Sequence, residues 1–249
     1  MYKLIKFERF AFDADLDKYH LVSKREEFFL REFRNVKTKL FELPKECIKF
    51  GRFDFKGEHF SCIPASFGEI AGNFKRGAQL VTQKDAGLII AQTGISKDSV
   101  VLDAGVGSGA LAGFLSRVVS RVDSFDINDA HLEIARKNLK NVNNVVIAKG
   151  DVYQDIFEND YDLITLDVPE PWKALANIEG NIKLGGYVVT YSPHISQVQK
   201  SKLEAPNSLM FEECFEIILR SWKVSKVALR PLTRDHQHTA FLSFFRKVE

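Results

Sequence analysis

The stretch Val101-Leu-Asp-Ala-Gly-Val-Gly-Ser-Gly-Ala110 constrains this chain more than any other part of it. An apolar run leads in, three glycines follow at alternate positions, and an apolar helical pattern leads out. Such a turn reverses the chain sharply and lets a neighbour approach the backbone, which glycine permits without steric penalty. A strand, a Gly-rich turn and a helix in that order belong to an open α/β sheet. In such sheets ligands bind at the carboxyl ends of the strands, near the switch point. The spacing is G-x-G-x-G. That is neither the G-x-G-x-x-G of dinucleotide binders nor a phosphate-cradling loop, which ends in Lys-Ser/Thr.

The rest of the chain agrees with this reading. From about residue 79, helical patterns over 83–93, 110–120, 129–140 and 173–183 alternate with strand patterns over 99–104, 122–127, 145–148, 161–166 and 187–191. Helical patterns over 195–203 and 211–220 follow, and strand patterns over 224–229 and 240–245 close the chain. The expected fold class is α/β, a doubly wound Rossmann-like sheet with an antiparallel C-terminal hairpin. Ahead of it, residues 2–7, 27–33 and 52–63 alternate apolar and polar, with Lys56-Gly57 as a hairpin turn. Residues 1–64 are therefore expected to form a small β-rich N-terminal domain, and 65–249 the larger domain, with 65–78 as a linking helix.

Bulk properties exclude more than they select. No apolar run approaches the roughly 20 residues that a membrane helix needs. Charges interrupt the first ten residues, unlike a signal peptide. A cytoplasmic protein is expected. Cys47, Cys62 and Cys214 follow no metal-ligand spacing, so no metal is expected, and buried unreactive thiols are. A net charge of +2 neither requires nor forbids a nucleic-acid partner.

Carboxylates at successive strand ends sharpen the ligand. Asp103 lies in the turn, and Asp126 ends the next strand, where an acidic side chain can accept both hydroxyls of a ribose. Asp151 follows the third strand, where it can accept an adenine amino group. Each alone could be a helix cap. Three in register favour an adenosine cofactor, S-adenosylmethionine. The expected cofactor contacts here are Asp103, Gly105, Val106, Gly107, Ser108, Gly109, Ala110, Leu111, Asp126, Ile127, His131, Asp151, Val152 and Asp167. Asp167 ends the fourth strand beside the expected methyl group and is the candidate catalytic residue. Pro169 and Pro171 are expected to keep the segment after it out of a helix.

The chain resembles the tRNA (adenine-N1)-methyltransferases that modify adenosine 58 in the T-loop. The resemblance rests on Arg76-Gly-Ala-Gln-Leu-Val-Thr-Gln-Lys-Asp-Ala-Gly87, the glycine turn and Asp167-Val-Pro-Glu-Pro-Trp172. It continues through Tyr191-Ser-Pro-His-Ile-Ser-Gln-Val198, Arg230-Pro-Leu-Thr-Arg234 and His238-Thr-Ala-Phe-Leu242. Thr82-Gln83 stands where the family commonly has Tyr-Pro, and Gln237 and Ala240 replace family glycines. The resemblance implies an S-adenosylmethionine-dependent enzyme with tRNA as partner, assembled as a homotetramer. It places Gln79 near cofactor or target, and Tyr191, His238, Thr239, Arg230 and Arg234 around the substrate RNA. Lys24, Arg25, Arg31, Arg34, Lys37 and Lys39 are further candidates for phosphate contacts. Two other readings stand beside it: a protein methyltransferase of the isoaspartyl type, and a non-catalytic RNA-binding subunit of a methyltransferase complex.

Overall fold

The computed structural model describes residues 1–75, 77, 80–155, 160–232 and 238–249. The chain forms two compact units, Met1–Asn73 with Ser221–Thr233, and Phe74–Arg220 with Arg234–Glu249.

The first unit is built from β1 (Tyr2–Lys6), β2 (Arg9–Asp13), β3 (Lys18–Ser23), β4 (Glu26–Leu30), β5 (Val36–Lys37), β6 (Glu42–Leu43), β7 (Gly51–Phe55) and β8 (Glu58–Pro64). Its main sheet runs β4-β1-β8-β7, antiparallel throughout. Leu4, Leu30, Phe60 and Cys62 fill its core. Lys56 and Gly57, which join β7 to β8, both have positive φ, at 49° and 74°. That is the turn geometry whose twist suits a two-residue hairpin. Lys6 is buried under the sheet, where Ser23 and Glu58 satisfy its ammonium group. Helix α1 (Phe67–Gly72) follows, started by a reciprocal capping box between Ser66 and Glu69.

The second unit runs α2 (Gln83–Thr93), β9 (Val100–Ala104), α3 (Ala110–Leu115), β10 (Arg121–Asp126), α4 (Asp129–Asn138), β11 (Val145–Lys149), β12 (Tyr161–Leu166), α5 (Pro171–Ile178), β13 (Ile182–Ser192), α6 (Ile195–Glu204) and β14 (Leu209–Glu216). The hairpin β15 (Trp222–Ser225) and β16 (Ala228–Pro231) belongs to the first unit, and β17 (Phe241–Lys247) returns to the second. The large sheet has the order β11-β10-β9-β12-β13-β17-β14. From β11 to β13 neighbouring strands are parallel, and β17 lies antiparallel between β13 and β14. The chain moves outward from β9 through β10 to β11, then crosses back to β12. The switch point therefore falls between the carboxyl ends of β9 and β12. Leu102, Ile164, Leu166, Val188 and Phe245 form the dry centre of the sheet.

Two expectations need correction. Within the stretch expected to be helical over 211–220, residues 211–216 belong to β14, and this strand is the antiparallel partner of β17. The segment 224–229 instead lies in the separate β15–β16 hairpin. The cause is a register shift between Phe211 and Glu213. One extra residue leaves Phe211, Cys214 and Phe215 spaced as on a helix although the chain is extended. The second correction concerns Pro171, which does not exclude a helix but begins α5. At the first helical position a missing N–H costs nothing, and proline's fixed φ suits the helix.

Candidate active site

The glycine turn after β9 holds its shape through backbone bonds to the next strand. Gly105 and Val106 both donate to the Phe125 carbonyl, at 2.9 and 3.0 Å. Gly105 has φ of 92°, and a Cβ there would lie 2.1 Å from the carbonyl oxygen of Asp167. Asp167 in turn donates its N–H to the Ala104 carbonyl at 2.9 Å. The ends of β9 and β12 are thus clamped together, and only glycine fits between them.

Asp126 organises the rim. Its carboxylate accepts from the Gly107 N–H at 3.1 Å and the Asn128 N–H at 2.9 Å, and its Oδ2 lies 3.1 Å from His131 Nδ1. Asp151 accepts from the Tyr153 N–H at 3.0 Å and from Gln154 at 2.9 Å. Asp103 is buried in the sheet, where it accepts from Ser124 at 2.5 Å and Thr165 at 2.9 Å. Burial raises it to about 6 despite these two hydrogen bonds. Asp167 is raised to about 7, first by burial and then by the like charges of Asp103 and Asp126.

A cavity of about 460 Å³ opens at this switch point. Of the expected site residues, Gly105, Gly107, Asp126, Ile127, His131, Asp151, Val152, Asp167 and Tyr191 line it. Asp103, Val106, Ser108, Gly109, Ala110 and Leu111 do not: they are buried in the turn and in the strand and helix it joins. Thr239 is likewise buried, with its hydroxyl bonded to Asp85. His238 is exposed and has both ring nitrogens engaged, with Glu216 at 2.6 Å and the Pro193 carbonyl at 3.1 Å. The Glu216 hydrogen bond raises its pKa. Arg230 is exposed on β16 of the first unit. Gln79 and Arg234 lie outside the described residues.

Phe125, Asn128, Tyr153, Pro169, Pro193 and Gln197 also line the cavity and were missed by sequence reading. Gln197 was findable. It stands three residues after His194, accepts that residue's N–H at 3.0 Å in the manner of a helix start, and donates to the Pro169 carbonyl at 3.0 Å. Trp172 does not line the cavity; the Lys200 ammonium sits 4.3 Å from its ring centre.

The lining suits a cationic nucleoside. Asp126, Asp151 and Asp167 face the cavity, and no lysine or arginine joins them among the described residues. A pyrophosphate ligand would meet no matching charge here, whereas a sulfonium would. Carboxylates at the ends of β10 and β11 provide acceptors for a ribose diol and an adenine amino group. The residues present therefore fit S-adenosylmethionine.

Sheet order, switch-point turn and acidic cavity together define a Rossmann-like methyltransferase. Residues 71–240 match the family described as the tRNA methyltransferase complex GCD14 subunit, and the chain belongs to that family. The tRNA (adenine(57)-N(1)/adenine(58)-N(1))-methyltransferase TrmI of Methanocaldococcus jannaschii is 32% identical, over 77% of this chain and 79% of its own length. Among solved structures, the tRNA (m1A58) methyltransferase TrmI of Aquifex aeolicus is 27% identical. It covers 100% of this chain and 97% of its own, with a TM-score of 0.79. A SAM-dependent O-methyltransferase of Thermotoga maritima is 26% identical, over 100% of this chain and 93% of its own, with a TM-score of 0.80.

Proposed function

We propose that this chain transfers the methyl group of S-adenosylmethionine to N1 of adenosine 58 in the T-loop of tRNA, in the cytoplasm and as a homotetramer. The observation that carries the reading is the place of Asp167, which follows β12 and lines the cavity together with Asp126 and Asp151. The M. jannaschii relative, whose name specifies adenine N1, gives the substrate.

S-adenosylmethionine supplies a methyl group on a cationic sulfur, transferred by in-line displacement, so placement of the nucleophile governs much of the rate. Asp126 would accept the ribose hydroxyls and Asp151 the adenine amino group of that cofactor. Asp167 would accept a hydrogen bond from the amino group of the target adenine. N1 already has a lone pair, so the carboxylate need not expose it. It orients N1, offsets the positive charge that methylation creates on the ring, and takes up the amino proton that then becomes acidic. N1 lies on the base-pairing edge, so the adenosine must be turned out of its stack to reach this group.

The test is to incubate the protein with an unmodified tRNA transcript and S-adenosylmethionine, digest the RNA, and identify the methylated nucleosides by mass. 1-Methyladenosine is expected, and adenosine 57 is scored in the same digest. A different methylated nucleoside, or none from protein that binds the cofactor, refutes the substrate assignment. Light scattering of the purified protein checks the tetramer, for which exposed Val224 and Leu229 on the β15–β16 hairpin offer apolar contact surface.

A further inference from the structure

Asp85 is wholly buried in the first turn of α2, and no step above uses it. Thr82-Gln-Lys-Asp85 has the outline of a capping box. In that motif the first hydroxyl accepts from a backbone N–H of the helix's first turn, and the acid accepts from the first residue's own backbone N–H. Neither happens here. Thr82 makes no side-chain cap, and its hydroxyl donates to the Asp85 carboxylate at 2.8 Å. Turned inward, that carboxylate also accepts from Lys84 Nζ at 2.7 Å, Thr239 at 2.9 Å and the Tyr191 hydroxyl at 3.4 Å. Lys84 Nζ donates to Thr239 as well, at 2.6 Å.

Two physical points set this node apart from ordinary support. A buried ion pair is a poor source of stability, because desolvation offsets most of the attraction. A local preference overridden in this way marks a functional or strained place. An ionised carboxylate only accepts, so along the 3.4 Å contact with Asp85 it is the Tyr191 hydroxyl that donates, with Thr239 as its second hydrogen-bonding neighbour. With the proton held on that side, a phenolic lone pair is what Tyr191 can offer to the cavity it lines.

We propose that Asp85, supported by Lys84 and Thr239, is a positioning residue for methyl transfer. It holds the Tyr191 proton away from the cavity, so that the phenolic oxygen meets the target base as an acceptor. An acceptor there matches the amino group of adenine and opposes a base with a carbonyl in its place. The inference rests on the adenosine-N1 reading above.

The test compares wild type with Asp85→Asn, Tyr191→Phe, the double variant and Thr239→Val. It reads kcat and KM on the tRNA transcript, S-adenosylmethionine affinity, and thermal melting. Asp85→Asn and Tyr191→Phe each lower kcat tenfold or more and leave cofactor affinity within about twofold. The double variant loses no more than the worse single, because both changes remove the same interaction. Losses that multiply in the double variant point to a general structural role and overturn the proposal, as does unchanged kcat in folded Asp85→Asn. Thr239→Val keeps the Lys84–Asp85 pair and decides the matter if Asp85→Asn does not fold: kcat must fall, and an unchanged value overturns the proposal. A wild type that makes no 1-methyladenosine removes the tRNA reading and this inference with it. An active wild type with an indifferent Asp85→Asn removes this inference alone.

Discussion

At the scale of single residues, Asp167 titrates where the enzyme would work. Its folded pKa of about 7 stands well above its ordinary 3.8, because burial and the charges of Asp103 and Asp126 disfavour the carboxylate. The proposed role needs the ionised form, so kcat/KM at low cofactor, which reports the free enzyme, rises with pH and levels off above about 7. A flat profile from pH 5 to 9 contradicts that role. Asp167→Ala lowers kcat by about 10²–10⁴, the usual contribution of a positioned acid or base. Stability moves the other way. A carboxyl whose folded pKa is raised stabilises the fold below its ordinary value, and that contribution is lost as pH rises through the folded one. Asp167→Asn therefore melts higher than the parent at pH 8 in the cofactor-free protein, and the gap narrows toward pH 4. Asp126→Ala weakens cofactor binding about a hundredfold or more, since charge-assisted hydrogen bonds contribute about 1.5–3 kcal/mol each. Calorimetric titration of the cofactor reads that loss.

Among elements, the junction of β9 and β12 is the least forgiving. Gly105→Ala would put a Cβ into the Asp167 carbonyl, at a φ that disfavours any side chain. A cost of about 3 kcal/mol or more is expected from overpacking and backbone strain together. Denaturant unfolding measures it, and a loss below about 1 kcal/mol contradicts the clamp. The same junction shows what was legible from sequence. The glycine spacing and the acids at strand ends follow from local rules, so the turn, Asp126, Asp151 and Asp167 could be placed without coordinates. Behind the turn the rules lose resolution: Asp103 reads like its neighbours, yet it points into the sheet to Ser124 and Thr165. β14 was misread because a register shift gave an extended strand helical spacing. Asp85 was passed over because its partners Tyr191 and Thr239 lie more than a hundred residues away, at separations of 106 and 154. Periodicity carries no information at that range.

For the whole molecule, near-neutral charge leaves RNA binding to local clusters. Lys24, Arg25, Arg31, Arg34, Lys37 and Lys39 are all exposed in the first unit, though Arg25 is paired with Glu27. If they meet phosphates, tRNA affinity falls steeply with salt. Replacing Arg31, Arg34 or Lys37 by Ala then reduces the slope of log K against log[salt] by about one each and leaves cofactor affinity alone. An unchanged slope moves the RNA contacts elsewhere. The account as a whole turns on one assay. Two tRNA transcripts, differing only in adenosine or guanosine at position 58, are incubated with protein and S-adenosylmethionine, and the methylated position is mapped by mass after digestion. The account predicts 1-methyladenosine at position 58 of the first transcript and nothing at that position in the second. Equal methylation of both transcripts outside the T-loop, or a methyl group on another atom of adenosine 58, would contradict it.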